Sequence, residues 1–279
     1  CGVFDPRGNK FKKSESEEIV MSEVKYTCKA NGEMWTPTQL ERLEYERNLH
    51  VLHQLKRHEI EIKDGEKVLS DDEIDYLTIA KAWEVSIETR MQYQGEKIIE
   101  LYREDFKLSD SMWKELGFSQ KKPMKVSHCD MSVTGRSLQE FMGIMRAMQE
   151  DDRVGLAAHP EHFICHVSFD DGNLLGIEPF GMYGTPTLVN VDVVKDSELS
   201  SRILADKDPE FPVSMAGTAF LADGVTPVNC PFHQFKPTAD GFEVKTAVYW
   251  PENTPDEIVT GHSLHLAMEF SRGVQLTGK

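Results

Sequence analysis

Apolar residues fall at helical spacing early in the chain and at alternate positions later. Leu40, Leu43, Leu49, Leu52 and Leu55 follow Thr36-Pro37-Thr38-Gln39, which offers an N-cap, a proline at the first helical position and a capping-box glutamine. Ser70-Asp71-Asp72-Glu73 opens a second helix in the same way, carrying Ile74, Leu77 and Trp83, and another helical stretch runs through Ile98, Leu101 and Tyr102 to Gly117. Residues 1 to 34 show little periodicity and read as an extended arm.

After Pro123 the texture changes. Met124 to Val126 reads as a short strand delivering His128, and Ser137 to Glu140 caps a Met-rich helix. Phe163, Cys165, Val167 and Phe169 alternate with His162, Ile164, His166 and Ser168, and Asp170 to Asn173 reads as a hairpin turn into Leu174 to Ile177. Thr187 to Val194, Thr218 to Leu221 and Phe242 to Trp250 are further strands. Thr254 caps a last helix, with Pro255 at its first position, that ends at Gly273. The expected fold class is α+β: a curved antiparallel sheet gripping one long C-terminal helix, with a cavity between them. A mainly helical region over residues 1–119 precedes the sheet domain at 120–279.

With 279 residues and 39% hydrophobic content the chain is large enough for a full core. No run of about 18 apolar residues suggests a membrane span, and no basic segment followed by an apolar stretch suggests a signal peptide. Asp and Glu outnumber Lys and Arg by 47 to 31, a formal charge of −16, which disfavours nucleic acid and anionic lipid as partners and points to a small molecule. Five cysteines without CxxC pairing fit buried thiols in a reducing compartment, so the cytoplasm is expected. The opening Cys1 reads as a trimmed start rather than a lipoprotein Cys.

His265 and Glu269 are four residues apart in the last helix and share a face. Such a pair alone reads as an intrahelical contact. Two further clusters, Ser127-His128-Cys129-Asp130 and His159-Pro160-Glu161-His162, change the balance toward a metal. If the strand pattern extends back past Pro160, Glu161 shares the apolar face with Phe163 and points inward, where an ionised carboxylate needs a cation, while His162 and His166 take the polar face. His128, Glu161, His265 and Glu269 then form a nitrogen and oxygen donor set that suits Zn2+, with iron or manganese also open. His262, one turn before His265, is either a substitute ligand or a supporting group, and His159 and His162 are likewise open as replacements for one of the four. Asp130 either orients an imidazole or is a solvated aspartate, and Cys129 is either a buried thiol or a soft ligand.

A His in a short strand, a His-Pro-Glu some thirty residues later and an HxxxE on the last helix resemble the diacetylphloroglucinol hydrolase and phloretin hydrolase family, over residues 120 to 272. The resemblance implies a START-like helix-grip domain holding zinc through His128, Glu161, His265 and Glu269. It also implies an N-terminal helical dimerisation region, hence a homodimer, and hydrolysis of the carbon–carbon bond between an acyl group and a phloroglucinol ring. In that chemistry Glu161 moves protons between water and the ring, and His233, read as a loop residue, is a second proton carrier or a phenol-binding group. Tyr183, Phe232 and Trp250 are candidate pocket residues. Gln120 and Met131 stand where the family pattern has a tyrosine and an asparagine, which leaves the acylphenol open. A non-catalytic carrier or sensor of hydrophobic molecules is the alternative, as is a metal-dependent esterase or amidase. The chain has no G-x-S-x-G elbow, HExxH or GxGxxG loop.

Overall fold

The computed structural model describes residues 24–168 and 173–276. It opens with β1 (Lys25–Ala30) and β2 (Glu33–Trp35), followed by α1 (Pro37–Arg57) and a small hairpin of β3 (Lys63–Asp64) and β4 (Lys67–Val68). Four helices come next, α2 (Asp71–Asp75), α3 (Ile79–Met91), α4 (Glu96–Leu101) and α5 (Arg103–Leu116). Then come β5 (Met124–Thr134), α6 (Leu138–Glu150), α7 (Asp152–Ala158), β6 (Ile164–Ser168), β7 (Asn173–Glu178) and β8 (Thr187–Val194). The chain finishes with α8 (Ser201–Leu204), β9 (Val213–Leu221), β10 (Pro227–Pro237), β11 (Gly241–Pro251) and α9 (Asp256–Leu276).

Nine strands form one antiparallel sheet in the order β2-β1-β5-β11-β10-β9-β8-β7-β6. The sheet curves around α9, so the α+β helix-grip architecture expected from the pattern is the one observed. Leu266, Ala267, Phe270 and Val274 of α9 join Cys129, Met131, Val244 and Val248 of the sheet in the main core. Gly273 does not end the helix. It packs beneath Phe141, whose ring carbon would stand 3.1 Å from an added Cβ, so the small residue serves a close approach rather than a stop.

The helix starts follow their caps. Thr36 and Gln39 form the reciprocal capping box of α1, and Ser70 and Glu73 that of α2. The second expected helix is two: α2 stops at Asp75, and Thr78 caps α3 anew by accepting the Lys81 amide. The arm expected over 1–34 yields, in its described part, strands β1 and β2, with β1 paired along β5. Residues 1–23 and the expected turn at Asp170 to Gly172 lie outside the described residues. The segment before residue 120 shares the core of the segment after it: Trp113 of α5 lies 5.5 Å from Trp250 and from Phe180, ring centre to ring centre, and its Nε1 donates to Thr187.

Candidate metal centre

The local sequence explains why two histidines leave α7 together. A residue before proline is driven from helical to extended backbone, and His159, before Pro160, has φ −151° and ψ 140° and closes α7. The His162 amide then bonds back to the His159 carbonyl at 3.2 Å, and the Phe163 amide reaches the Ile177 carbonyl at 2.8 Å to start the sheet. Residues 159–162 therefore form a turn, not an extension of β6. The alternation expected to run back past Pro160 fails here, and His162, expected on the polar face, is only 3% exposed.

Across from this turn, α9 presents His265, and the end of β7 presents Glu178. His162 Nε2 and His265 Nε2 are 3.1 Å apart, and Glu178 Oε2 lies 3.3 Å from the first and 3.0 Å from the second. The His159 ring stacks on His265 with centroids 3.6 Å apart, and ligand atoms of His159, His162 and His265 all lie within 4.8 Å of one another. All three rings are buried. This cluster could coordinate a divalent metal ion.

Hydrogen-bond logic supports that fit. His162 Nδ1 stands 3.0 Å from the Gly155 carbonyl, which can only accept, so Nδ1 carries the hydrogen and a neutral ring turns its Nε2 lone pair toward the Glu178 carboxylate. Two acceptors at that distance require a proton or a metal between them. Burial lowers the His162 pKa, but Cys165, Glu178 and Glu269 outweigh it and hold the imidazole well above its usual value. Burial raises that of Glu178, and His265 and His162 outweigh it and hold the carboxylate well below its usual range. His159 is held neutral by burial and by its imidazole neighbours. Its Nδ1 accepts the Glu161 amide at 3.1 Å, so its Nε2 carries hydrogen and it is the least committed donor of the three. The buried His265 Nδ1, His262 Nδ1 and Glu161 Oε2 have no hydrogen-bond partner, an unusual concentration of unsatisfied groups for an ordinary core.

A cavity of about 140 Å³ opens beside the cluster, between the sheet and α9. His162, Glu178, His262, Glu269, His233 and Asn229 supply its polar wall, and the remainder is mostly aliphatic. An apolar cavity of about 150 Å³ accommodates benzene, so this one has room for a single aromatic ring. His233 lies on β10, not in a loop. Its Nδ1 accepts the Ala247 amide at 3.3 Å, and burial lowers its pKa to about 4, which makes Nε2–H a neutral donor rather than a proton carrier at neutral pH. His262, with its pKa lowered to about 3 by burial and by His265, is also neutral, and it stands edge-on to Trp250 at 5.0 Å.

The structure gathers only part of the expected donor set. His265 is in the cluster and Glu269 lines the cavity. Glu161 is fully buried, as expected for an inward carboxylate. Its Oε1 accepts the Tyr183 amide at 3.1 Å, and burial, opposed by Arg47, raises its pKa. It does not line the cavity. His128 and Asp130 are not brought to the cluster. The strand expected to stop at Val126 runs to Thr134, so its alternation buries Ser127, Cys129, Met131 and Val133 and leaves His128 and Asp130 exposed on the opposite face. Asp130 sits in register with Lys29 and Lys245. Cys129 is a buried thiol, its sulfur 3.3 Å from that of Cys28. Tyr183 is half-exposed and Phe232 packs in a separate cluster, so neither lines the cavity, and Trp250 supports it from behind, through Phe180 and His262. Gln120 caps the segment at Ser200, and Met131 is core.

Sequence reasoning placed His162 only among possible replacement ligands and missed Glu178. The proline-forced turn was the available signal for the first. A carboxylate closing the apolar run Leu174 to Ile177, just before Pro179, was the signal for the second.

No family model matches this chain, and no curated protein matches it. Among solved structures, the crystal structure of protein Ms6760 from Mycobacterium smegmatis aligns over 55% of this chain and 92% of its own, at 12% identity and a TM-score of 0.31. A likeness at that score carries no argument about fold or function.

Proposed function

We propose that this chain is a zinc-dependent hydrolase that cleaves the carbon–carbon bond between an acyl group and a polyhydroxylated, phloroglucinol-type ring. The observation that carries this reading is the convergence of His162 Nε2, His265 Nε2 and Glu178 Oε2 at the wall of a cavity sized for one ring. His162, His265 and Glu178 would hold the metal, and Glu269, one turn beyond His265, stays free on the cavity wall. A bound divalent metal supplies Lewis acidity toward the acyl carbonyl and toward water.

The protein groups account for the rest of the chemistry. The neutral Nε2–H of His233 donates a hydrogen bond to a ring hydroxyl or to the acyl oxygen. As its bond to the acyl carbon breaks, the ring carbon takes up a proton that comes from the attacking water and must be carried across by a carboxylate. Glu269, which lines the cavity, is better sited to carry it than Glu161, which does not. The aliphatic wall excludes water from the ring. Cavity size favours a single-ring acylphenol over a two-ring dihydrochalcone.

The aliphatic wall also favours a second reading, a binder of small aromatic molecules without catalysis. Incubation with monoacetylphloroglucinol separates the two. Chelator-sensitive release of phloroglucinol and acetate supports the hydrolase; a thermal shift on ligand addition without product, unaffected by chelator, supports the binder. A homodimer through the helical region remains part of the proposal, and sedimentation equilibrium tests it.

A further inference from the structure

The turn that carries His159 and His162 is held from outside its own domain segment. Arg90, on α3, is 1% exposed. Its Nη1 donates to the carbonyls of Leu156 at 2.9 Å, His159 at 3.0 Å and His162 at 2.7 Å, and its Nε donates to the Ser86 carbonyl at 3.2 Å. One helical turn further on, Gln94 Nε2 bridges the carbonyls of Arg90 and Phe163, each at 2.9 Å. A single guanidinium nitrogen thus collects carbonyls from both ends of the 159–162 turn.

Burying a guanidinium is costly unless its donors are satisfied. Arg90 forms no ion pair among the described residues, and burial lowers its pKa to about 9, which leaves it charged at neutral pH. Capping the end of α7, whose C-cap is His159, would account for the contacts with Leu156 and His159. It does not account for the contact beyond Pro160 at His162, the shortest of the set. Hydrogen bonds from a charged donor in a buried setting are stronger than neutral ones, so the three carbonyls are tied to one point with little freedom. The backbone orientation at His162 sets where its imidazole points.

We propose that Arg90 is a positioning residue of the metal centre: by gathering the carbonyls of Leu156, His159 and His162 it fixes the turn that aims His162 at His265 and Glu178. The helical layer before residue 120 is then a working part of the site, not only a packing or dimer surface. This inference rests on the reading of the cluster as a metal site.

The test uses the full chain, with Arg90→Gln and Arg90→Lys variants, and two readouts. The first is titration with Co2+, following its ligand-field absorption. The second is amide hydrogen exchange of the metal-free protein. Removing a group that orients a metal ligand typically costs about 10- to 100-fold in metal affinity. Arg90→Gln is expected to fall in that range with an altered Co2+ spectrum, and to speed exchange at residues 159–163 while β10 and β11 stay protected. Lysine is shorter and lacks the Nε donor, so Arg90→Lys is expected to be intermediate on both readouts, which answers the question if Arg90→Gln does not fold. Wild-type Co2+ affinity, spectrum and loop exchange in a folded variant overturn the proposal. A wild-type chain that takes up no Co2+, with faster loop exchange in the variants, overturns the metal reading and leaves the clamp standing.

Discussion

The Nε2 atoms of His162 and His265 stand 3.1 Å apart, and one carboxylate oxygen of Glu178 touches both. Because the Gly155 carbonyl fixes the hydrogen of His162 on Nδ1, the Nε2 pair and the carboxylate face one another around a position that calls for positive charge. Without a metal that charge is the proton of an imidazolium; with one, the metal takes its place.

That exchange predicts opposite pH behaviour for the two forms. His162 has its pKa raised in the metal-free fold, so its contribution to stability is full below the unfolded value near 6.5 and is lost as pH rises through the folded value. Glu178 has its pKa lowered, so its contribution is present above about 4.5 and is lost as pH falls through the folded value. The chelated protein should therefore lose stability from neutral to alkaline pH, while metal affinity rises over the same range. Thermal unfolding against pH, with and without chelator, checks this; a chelated form that gains stability toward alkaline pH contradicts it.

Glu178→Gln keeps the shape and removes the charge. Breaking a buried ion pair from one side costs about 3 to 5 kcal/mol, discounted here because the Glu178 side chain retains 20% exposure. A loss of about 2 kcal/mol in the metal-free protein is expected from urea denaturation, together with weaker metal binding. A variant as stable as wild type would show that the carboxylate does not hold the imidazoles.

Gly155→Ala tests the seat of His162. An added Cβ would stand 2.1 Å from the Cys165 carbonyl oxygen, a backbone atom that cannot move aside cheaply. Overpacking of this kind costs roughly 1 to 3 kcal/mol, and the shift should also disturb the carbonyl that orients the His162 ring. Denaturant midpoints and Co2+ affinity measured on one preparation should fall together; unchanged values would mean that the backbone relaxes freely there.

His128→Ala and Asp130→Ala are expected to be silent. Both residues are exposed on the sheet face away from α9, and surface changes of this type stay within about 0.5 kcal/mol. Metal content and unfolding midpoint should match wild type in each. Loss of metal in His128→Ala would restore that residue to the ligand set and overturn the assignment made from the geometry.

The contrast between His265 and His128 explains how far the chain can be read. His265 and Glu269 were legible because helical spacing is local and α9 is long and well capped. The alternation in β11 and the capping boxes of α1, α2 and α6 were legible for the same reason. The face that His128 takes was not legible, because strand length decides it and β5 gains its extra residues from pairing with β1 and β11, partners distant in sequence. Three prolines at positions 227, 231 and 237 hid β10 and with it the strand setting of His233. His162, Glu178 and Arg90 meet through contacts between a turn, a strand end and a helix, and no spacing rule encodes such a meeting.

The central claim is that His162 and His265 hold a metal ion. Inductively coupled plasma mass spectrometry of the full chain, purified without chelator beside His162→Ala, His265→Ala and His128→Ala, tests it most directly. The account predicts about one divalent metal ion per chain in the wild type and in His128→Ala, and little in the other two. A wild-type protein without metal, or one whose metal survives both His162→Ala and His265→Ala, would contradict it.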